Sequence, residues 1–305
     1  MMLNEIALPS FAKINLNLRV LGMRPDGYHE LFTVYQTVSL RDELVIRESR
    51  DISVICDHPD VPSGESNIVH KALVTLRDKY RIERGASVTI RKKIPSPGGL
   101  GGGSSNAAVA LLAASRLWSL DLNRGQLVKI GAELGSDVPL FFYGGTAIGT
   151  GRGTLVEQVK DVDLPFLLIA SPDVNIPTGQ AFRKLGSEDL TKNRSKSILK
   201  HYRDGVEALY SGRFEFENDF QKVIFEQFPD IENTAGVLVA EGASNVFLSG
   251  SGPSVVGIFD SALRRSSAQE VLANRRGIDC FPVHSISKTS YFERLGLSPG
   301  QSFGF

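Results

Sequence analysis

From Lys13 to Val20 apolar and polar residues alternate: Ile14, Leu16, Leu18 and Val20 share one face, and Lys13, Asn15, Asn17 and Arg19 the other. A period of two predicts a half-buried strand. Its polar face presents a cation followed by two amides, which suits a solvated face and the floor of a site equally. The turn signal Arg24-Pro25-Asp26-Gly27 follows, and β-rich segments are predicted over 31–40, 43–48 and 52–56. Ser66 and Asn67 can cap a helix whose apolar positions Ile68, Ala72, Leu73 and Leu76 recur at helical spacing, ahead of a strand over 87–94. A glycine-dense loop, 95–103, then runs into a helix over 104–120 rich in Ala and Leu. A further helix over 126–133 stops at Gly135, and β-like segments surround Gly144-Gly145 and 149–153.

Beyond about Gln158 the pattern starts again. A compact apolar strand over 165–170 leads into amphipathic helical stretches through much of 179–240. Strands over 245–248 and 255–259 flank a Gly-Ser-Gly turn, and a helix over 262–275 precedes a strand over 280–286. These elements predict an α+β protein. A chain of 305 residues exceeds the usual size of one core, so two packed domains, 1–158 and 159–305, are expected, with a cleft between them. The tail 301–305 is expected to be partly disordered, and the basic stretch Lys192, Arg194, Lys196 reads as a solvated loop outside any site.

Charge narrows the functional classes. Lys plus Arg and Asp plus Glu both number 34, so no global field steers the chain to nucleic acid or an anionic membrane, and anion binding must be local. Cys56 and Cys280 stand far apart without a CxxC partner, which predicts neither a disulfide framework nor a zinc site and fits the cytoplasm. The first residues lack a basic and an apolar signal region, and no later window approaches a membrane span, so neither secretion nor anchoring is expected.

The strongest chemical signal is Pro95-Ser96-Pro97-Gly98-Gly99-Leu100-Gly101-Gly102-Gly103-Ser104-Ser105. A glycine run lets successive backbone N–H groups approach a phosphate, and here it opens into a helix N-terminus, which favours anions. No lysine follows Gly103, so this is not a Walker loop. The acidic residue that a dinucleotide-binding loop needs about 20 positions on is also missing from a second strand, since that distance falls near the turn Asp121-Leu122-Asn123-Arg124.

From Pro95 to Ala108 the loop resembles the ATP-binding motif of the galactokinase/homoserine kinase/mevalonate kinase superfamily. Two more motifs agree: the stretch from Ser10 to Leu18 resembles the superfamily's first motif, and that from Leu248 to Ser254 its third. Together they span nearly the whole chain. The resemblance implies an N-terminal domain like the second domain of ribosomal protein S5, a ferredoxin-like C-terminal α/β sandwich, and ATP with Mg²⁺. Within the superfamily, Pro25-Asp26-Gly27-Tyr28-His29-Glu30, Gly135-Ser136-Asp137-Val138-Pro139 and Asn175-Ile176-Pro177-Thr178 resemble the diphosphocytidyl-methylerythritol kinases. That implies ATP-dependent phosphorylation of the 2-hydroxyl of a cytidine diphosphate-linked methylerythritol, in the non-mevalonate route to isoprenoids.

By this resemblance Asp137 takes the catalytic carboxylate position, where it would accept or orient the substrate hydroxyl proton. From the residues alone, an Asp after Gly-Ser and before Val-Pro reads as a cap or turn residue. Lys13 matches the lysine beside the reacting hydroxyl, and its pairing with Asp137 favours proton orientation over strong basicity. Asn15, on the same face, would hydrogen-bond the polyol. Tyr28 would stack on cytosine and His29 would bond its edge, while Phe182 would supply the opposite stacking face and Thr178 a polar contact. Asn67 fits a helix cap as well as a nucleotide contact. Gly250, Ser251 and Gly252 either support the phosphates or form a tight turn. Mg²⁺ would be held largely by phosphates and water. The alternatives are another kinase of the superfamily, a non-catalytic nucleotide sensor, and an RNA-binding module on an S5-like fold. A monomer or weak homodimer is expected, without nucleic acid or membrane partners.

Overall fold

Two long antiparallel strands, β1 (Glu5–Met23) and β2 (His29–Ser49), organise the first half of the molecule. The computed structural model describes residues 5–185, 205–211 and 214–297; the stretch around Lys192 and the tail 301–305 lie outside them. The sequence predicts β1 only over 13–20 and splits β2 in two. The strands run on because apolar residues at Ile6, Leu8, Leu44 and Ile46 bury their flanks in the same core. Within 13–20 both faces are covered: Lys13, Asn15 and Asn17 are buried, as are Ile14 and Leu16. The polar face is therefore a floor beneath other elements, not a solvated surface.

The first sheet runs β3 (Ser53–Cys56), β4 (Gly85–Arg91), β2, β5 (Thr146–Gly151), β6 (Leu155–Gln158), with β1 paired to β2. Helices α1 (Ile68–Tyr80), α2 (Gly102–Leu117) and α3 (Arg124–Leu134) cover one face. Asn67 caps α1, and Asn123 and Gln126 close a capping box on α3. Helix α2 begins two residues earlier than its Ala and Leu content predicts, within the glycine run.

The second sheet has the order β10 (Ile278–Val283), β7 (Leu167–Pro172), β9 (Val255–Ile258), β8 (Asn245–Leu248), all antiparallel. Helices α4 (Thr178–Lys184), α5 (Phe220–Gln227), α6 (Pro229–Ala240) and α7 (Ala262–Ala273) accompany it. Renumbered from β7, the strand order is 4-1-3-2, the ferredoxin-like sandwich that the resemblance implies. The protein is a two-domain α+β fold.

The two sheets share one apolar layer in which Ile14, Leu16 and Val34 of the first meet Leu167, Ile169 and Val256 of the second. The last helix, α8 (Lys288–Arg294), which the sequence does not signal, returns to the first core, where Tyr291 is fully buried and donates to the Phe141 carbonyl at 2.8 Å. No helix among the described residues is long and apolar enough to cross a membrane.

Candidate active site

A cleft of about 900 Å³ opens where β1, the glycine loop, the Ser136-Asp137 turn, α4 and the Gly250-Ser251 turn converge. Its floor is Lys13. The ammonium group is almost fully buried and donates to the Asn15 Oδ1 at 2.6 Å and the Gly99 carbonyl at 3.0 Å, and it faces the Asp137 Oδ2 at 3.3 Å. Asn15 Nδ2 donates to the Thr33 hydroxyl at 2.7 Å, which donates in turn to the Asn17 carbonyl at 2.7 Å. Asn15 lines the cleft as expected, but both of its polar atoms work inside this network and orient the lysine.

Asp137 precedes the short 3₁₀ turn Val138–Phe142 and makes no side-chain cap to it, so the turn-residue reading does not describe its carboxylate. Oδ2 faces Lys13, and Oδ1 accepts from the Tyr35 hydroxyl at 3.0 Å. The carboxylate keeps 30% of its side-chain surface open to the cleft, room for a third partner.

The glycine loop is fixed from both sides. Lys13 N–H donates to the Leu100 carbonyl at 2.9 Å, while Ser249 Oγ donates to the Gly99 carbonyl at 3.1 Å. A Cβ on Gly99 would lie 2.2 Å from the Ser249 carbonyl oxygen, and one on Gly101 would lie 2.9 Å from Lys13 Cγ. Gly101 is the left-handed N-cap of α2, and no side chain caps the first turn. The backbone N–H groups of that turn, with Gly99, Gly101 and Ser104 on the cleft wall, form a cradle for an anion. Behind it Ser10, Ser105, Asn106 and Asp42 form a buried hydrogen-bonded chain ending in a Lys92–Asp42 ion pair of 2.6 Å.

Gly250, Ser251 and Gly252 form the turn between β8 and β9 and also meet the loop: a Cβ on Gly250 would sit 3.0 Å from the Gly99 carbonyl oxygen. Asn218 clamps this turn, its Nδ2 donating to the Leu248 and Gly250 carbonyls at 2.8 and 2.7 Å. The sequence does not single out Asn218, because a lone Asn ahead of a helix carries no pattern.

At the far end stand the aromatic residues. Tyr28 is 52% exposed, with the Arg152 guanidinium 4.4 Å over its ring. His29 stacks on Phe182 at 4.8 Å, so the face expected to meet a pyrimidine holds the imidazole, and Phe182 meets Phe220 edge-on at 4.8 Å. Burial lowers the His29 pKa and so favours its neutral form. Thr178 opens α4, but its side chain lies outside the described ones. Asn67 sits outside the cleft with both polar atoms engaged in its cap: Oδ1 accepts from Val69 N–H at 2.8 Å, and Nδ2 donates to the Pro62 carbonyl at 2.6 Å.

A model of the GHMP kinases N terminal domain matches residues 67–145, and one of the GHMP kinases C terminal matches residues 206–279. A 4-diphosphocytidyl-2-C-methyl-D-erythritol kinase of Caldanaerobacter subterraneus is 33% identical over 290 residues, 93% of this chain and 97% of the relative. One of Syntrophus aciditrophicus is 37% identical over 276 residues, 90% of this chain and 97% of the relative. The chain belongs to the 4-diphosphocytidyl-2-C-methyl-D-erythritol kinase family. A crystal structure of a 4-(cytidine 5'-diphospho)-2C-methyl-D-erythritol kinase superposes with a TM-score of 0.77 at 27% identity, covering 92% of this chain and all of that one. A homoserine kinase from Cytophaga hutchinsonii shares the fold alone, with a TM-score of 0.70 at 18% identity over 94% of this chain and 96% of that one. As a member of this kinase family, the chain is a phosphotransferase of the GHMP class.

Proposed function

We propose that the chain transfers the γ-phosphate of ATP to the 2-hydroxyl of 4-diphosphocytidyl-2-C-methyl-D-erythritol, giving the 2-phosphate and ADP. One observation carries this reading: the buried Lys13 and the partly open Asp137, 3.3 Å apart, lie in one cleft with the uncapped start of α2 and the ring pair of His29 and Phe182. Phosphoryl transfer needs a positioned substrate hydroxyl, a group for its proton and cations against the moving charge, and the cleft offers Asp137 for the first two and Lys13 for the third.

The backbone of the glycine loop and the first turn of α2 hold the nucleotide phosphates. Asp137 orients the substrate hydroxyl and accepts its proton through the oxygen beside Lys13. Lys13 offsets charge on that oxygen and on the phosphoryl group, and its bond to Gly99 ties it to the loop holding the donor. Asn15 fixes the lysine. Arg152, unnoticed in the sequence, adds positive charge beside Tyr28 for the diphosphate that joins base to polyol. The base enters between Tyr28 and Phe182, taking the place of the His29 imidazole against Phe182.

Among the described residues no three His, Cys, Asp or Glu side chains gather to hold a metal. Beside the loop the cleft offers the carboxylate of Asp137 and the hydroxyls of Ser104, Ser136 and Ser251, which fits Mg²⁺ held mainly by nucleotide phosphates and water. When bound, the ion neutralises phosphate charge. We assign the nucleotide-holding unit to 1–158 and the second unit to 159–305, with α8 returning to the first. The setting is the cytoplasm and the form a monomer or weak homodimer, and the balanced charge speaks against a nucleic-acid partner.

The test is ADP release with MgATP and, in turn, 4-diphosphocytidyl-2-C-methyl-D-erythritol, mevalonate, homoserine and galactose. Turnover on the cytidyl compound alone is expected. Turnover on another alcohol alone keeps the loop and the Lys13–Asp137 pair but removes the base pocket, and no turnover on any returns the chain to a sensor.

A further inference from the structure

Tyr35 is one of the largest fully buried side chains among the described residues, yet it also lines the cleft at the end that holds Lys13 and Asp137. It lies on β2 between Asn15 of β1 and Ala147 of β5. Two glycines shape its seat. A Cβ on Gly149 would come 2.4 Å from the ring, and one on Gly153 would come 2.6 Å from the hydroxyl oxygen. Gly153 follows β5 in a turn with φ 92°. The phenol thus packs over two glycines and crosses to the Ser136-Asp137 turn, where it donates to Asp137 Oδ1 at 3.0 Å.

Asp137 needs such a partner. Its backbone leaves the carboxylate uncommitted to the following turn, and Lys13 faces only one oxygen. A carboxylate held by one flexible cation can rotate about its last bond; one gripped at both oxygens cannot. The Lys13 ammonium also stands 5.8 Å from the centre of the Tyr35 ring, so both partners of the carboxylate are packed against each other.

We propose that Tyr35 is a positioning residue for phosphoryl transfer, its hydroxyl fixing the plane of the Asp137 carboxylate so that the oxygen beside Lys13 meets the substrate hydroxyl. This rests on the assignment of Asp137 as the group that handles the substrate proton. Burial and the Asp137 charge raise the phenol's pKa well above its ordinary value, so it stays a donor throughout the neutral range. It takes no proton from substrate and needs no contact with it. On β2, Tyr35 stands opposite Asn15 and Thr37 opposite Lys13 of β1, but Gln36 interrupts the alternation with Phe32, Val34 and Val38, so the sequence does not single Tyr35 out.

The experiment is Tyr35→Phe in the full chain, with kcat and both KM values measured alongside the melting temperature. The ring stays, so packing is kept and only the donor is lost. The expected result is a kcat reduced roughly 10- to 100-fold, the range for a small misplacement of a reacting group. Both KM values should stay within about threefold and the melting temperature within a few degrees. The double variant with Asp137→Ala should be no slower than Asp137→Ala alone, because the hydroxyl acts only through that carboxylate. Gly149→Ala, which keeps the hydroxyl but pushes the ring, should also lower kcat.

Unchanged kcat in Tyr35→Phe, a rise in substrate KM alone, or a kcat loss matched by lost folded protein would each overturn the proposal. An Asp137→Ala enzyme with normal turnover would remove the underlying assignment instead, a result readable from the single variant.

Discussion

The two ends of the cleft are built in opposite ways. At the reacting end, Lys13, Asn15, Thr33 and Tyr35 are almost wholly buried, and the glycine loop meets the Ser249-Gly250 turn backbone to backbone. At the other end Tyr28 is half exposed and His29 and Phe182 stack on each other across two segments. The reacting end resembles a small core whose members are polar, where each donor already has its acceptor. Preorganised groups of this kind lower a barrier because they need no reorganisation as charge develops. The aromatic end has adaptable surfaces, and a ligand there must part rings that already touch. On the proposed assignment, chemistry is placed where the fold is tightest, and selection of substrate where side chains can still move.

The sharpest way to break this contrast is to remove the charge at the tight end. Asp137→Ala should cost at least about 10³-fold in kcat, within the range for a lost proton-handling group, while nucleotide affinity measured by titration stays close to normal. A variant of near-normal turnover would leave the carboxylate as a packing residue only.

Next in size is Gly99→Ala. Its φ of 70° disfavours any side chain, and the added methyl would overlap the Ser249 carbonyl, which is backbone and cannot swing away. The strain alone is about 1–3 kcal/mol, and the overlap drives the total to the upper end. Both melting temperature and ATP affinity should fall, since loop and turn move together. A well-tolerated alanine would show that the tight end is looser than its contacts indicate.

Phe182→Ala tests the other end. Its loss should raise KM for the cytidyl substrate by roughly 1–3 kcal/mol if aromatic stacking on a base behaves as it does in single-stranded nucleic-acid binding. ATP affinity should not change. Equal losses for both ligands would mean that the two ends are not separable.

The sequence discloses these ends unequally, for physical reasons. Glycine runs and a helix of Ala and Leu announce a tight loop opening into a helix because few residues can adopt that backbone, and the structure has an uncapped, left-handed helix start where the run stands. The two-domain α+β fold is equally legible, since each half has its own run of strands and helices. The polar face of 13–20 is ambiguous in one dimension: alternation reveals that Lys13, Asn15 and Asn17 share a face, but not what covers it. What covers it comes from far along the chain, as Asn17 Nδ2 donates to the Glu215 carbonyl and Asn218 sits beside β1. Helix α8 is missed for the same reason, because Tyr291 and Phe292, with Ile286, Leu295 and Leu297, complete a core otherwise built by residues up to Ala147. Resemblance groups Tyr28, His29 and Phe182, and all three line one cleft, but it does not disclose the stacking of His29 on Phe182, which depends on how two segments meet in space.

That stacking supplies the smallest and most specific prediction. Burial holds the His29 pKa below its ordinary value near 6.5. A depressed imidazole pKa means that the folded arrangement favours the neutral ring. Its contribution is fully present above the ordinary value and is lost as pH falls below it, through the folded value. A charged His29 seeks water and leaves the face of Phe182, so the base end should loosen on the acid side while the Lys13–Asp137 end holds. KM for the cytidyl substrate, measured between about pH 5 and 8, should then change by a few-fold below roughly pH 6.5, with KM for ATP flat across the same range. In His29→Asn the change should vanish, because no titrating ring remains between Tyr28 and Phe182. If the acid-side change persists in that variant, the titrating group belongs to the tight end, and the two ends of the cleft are coupled.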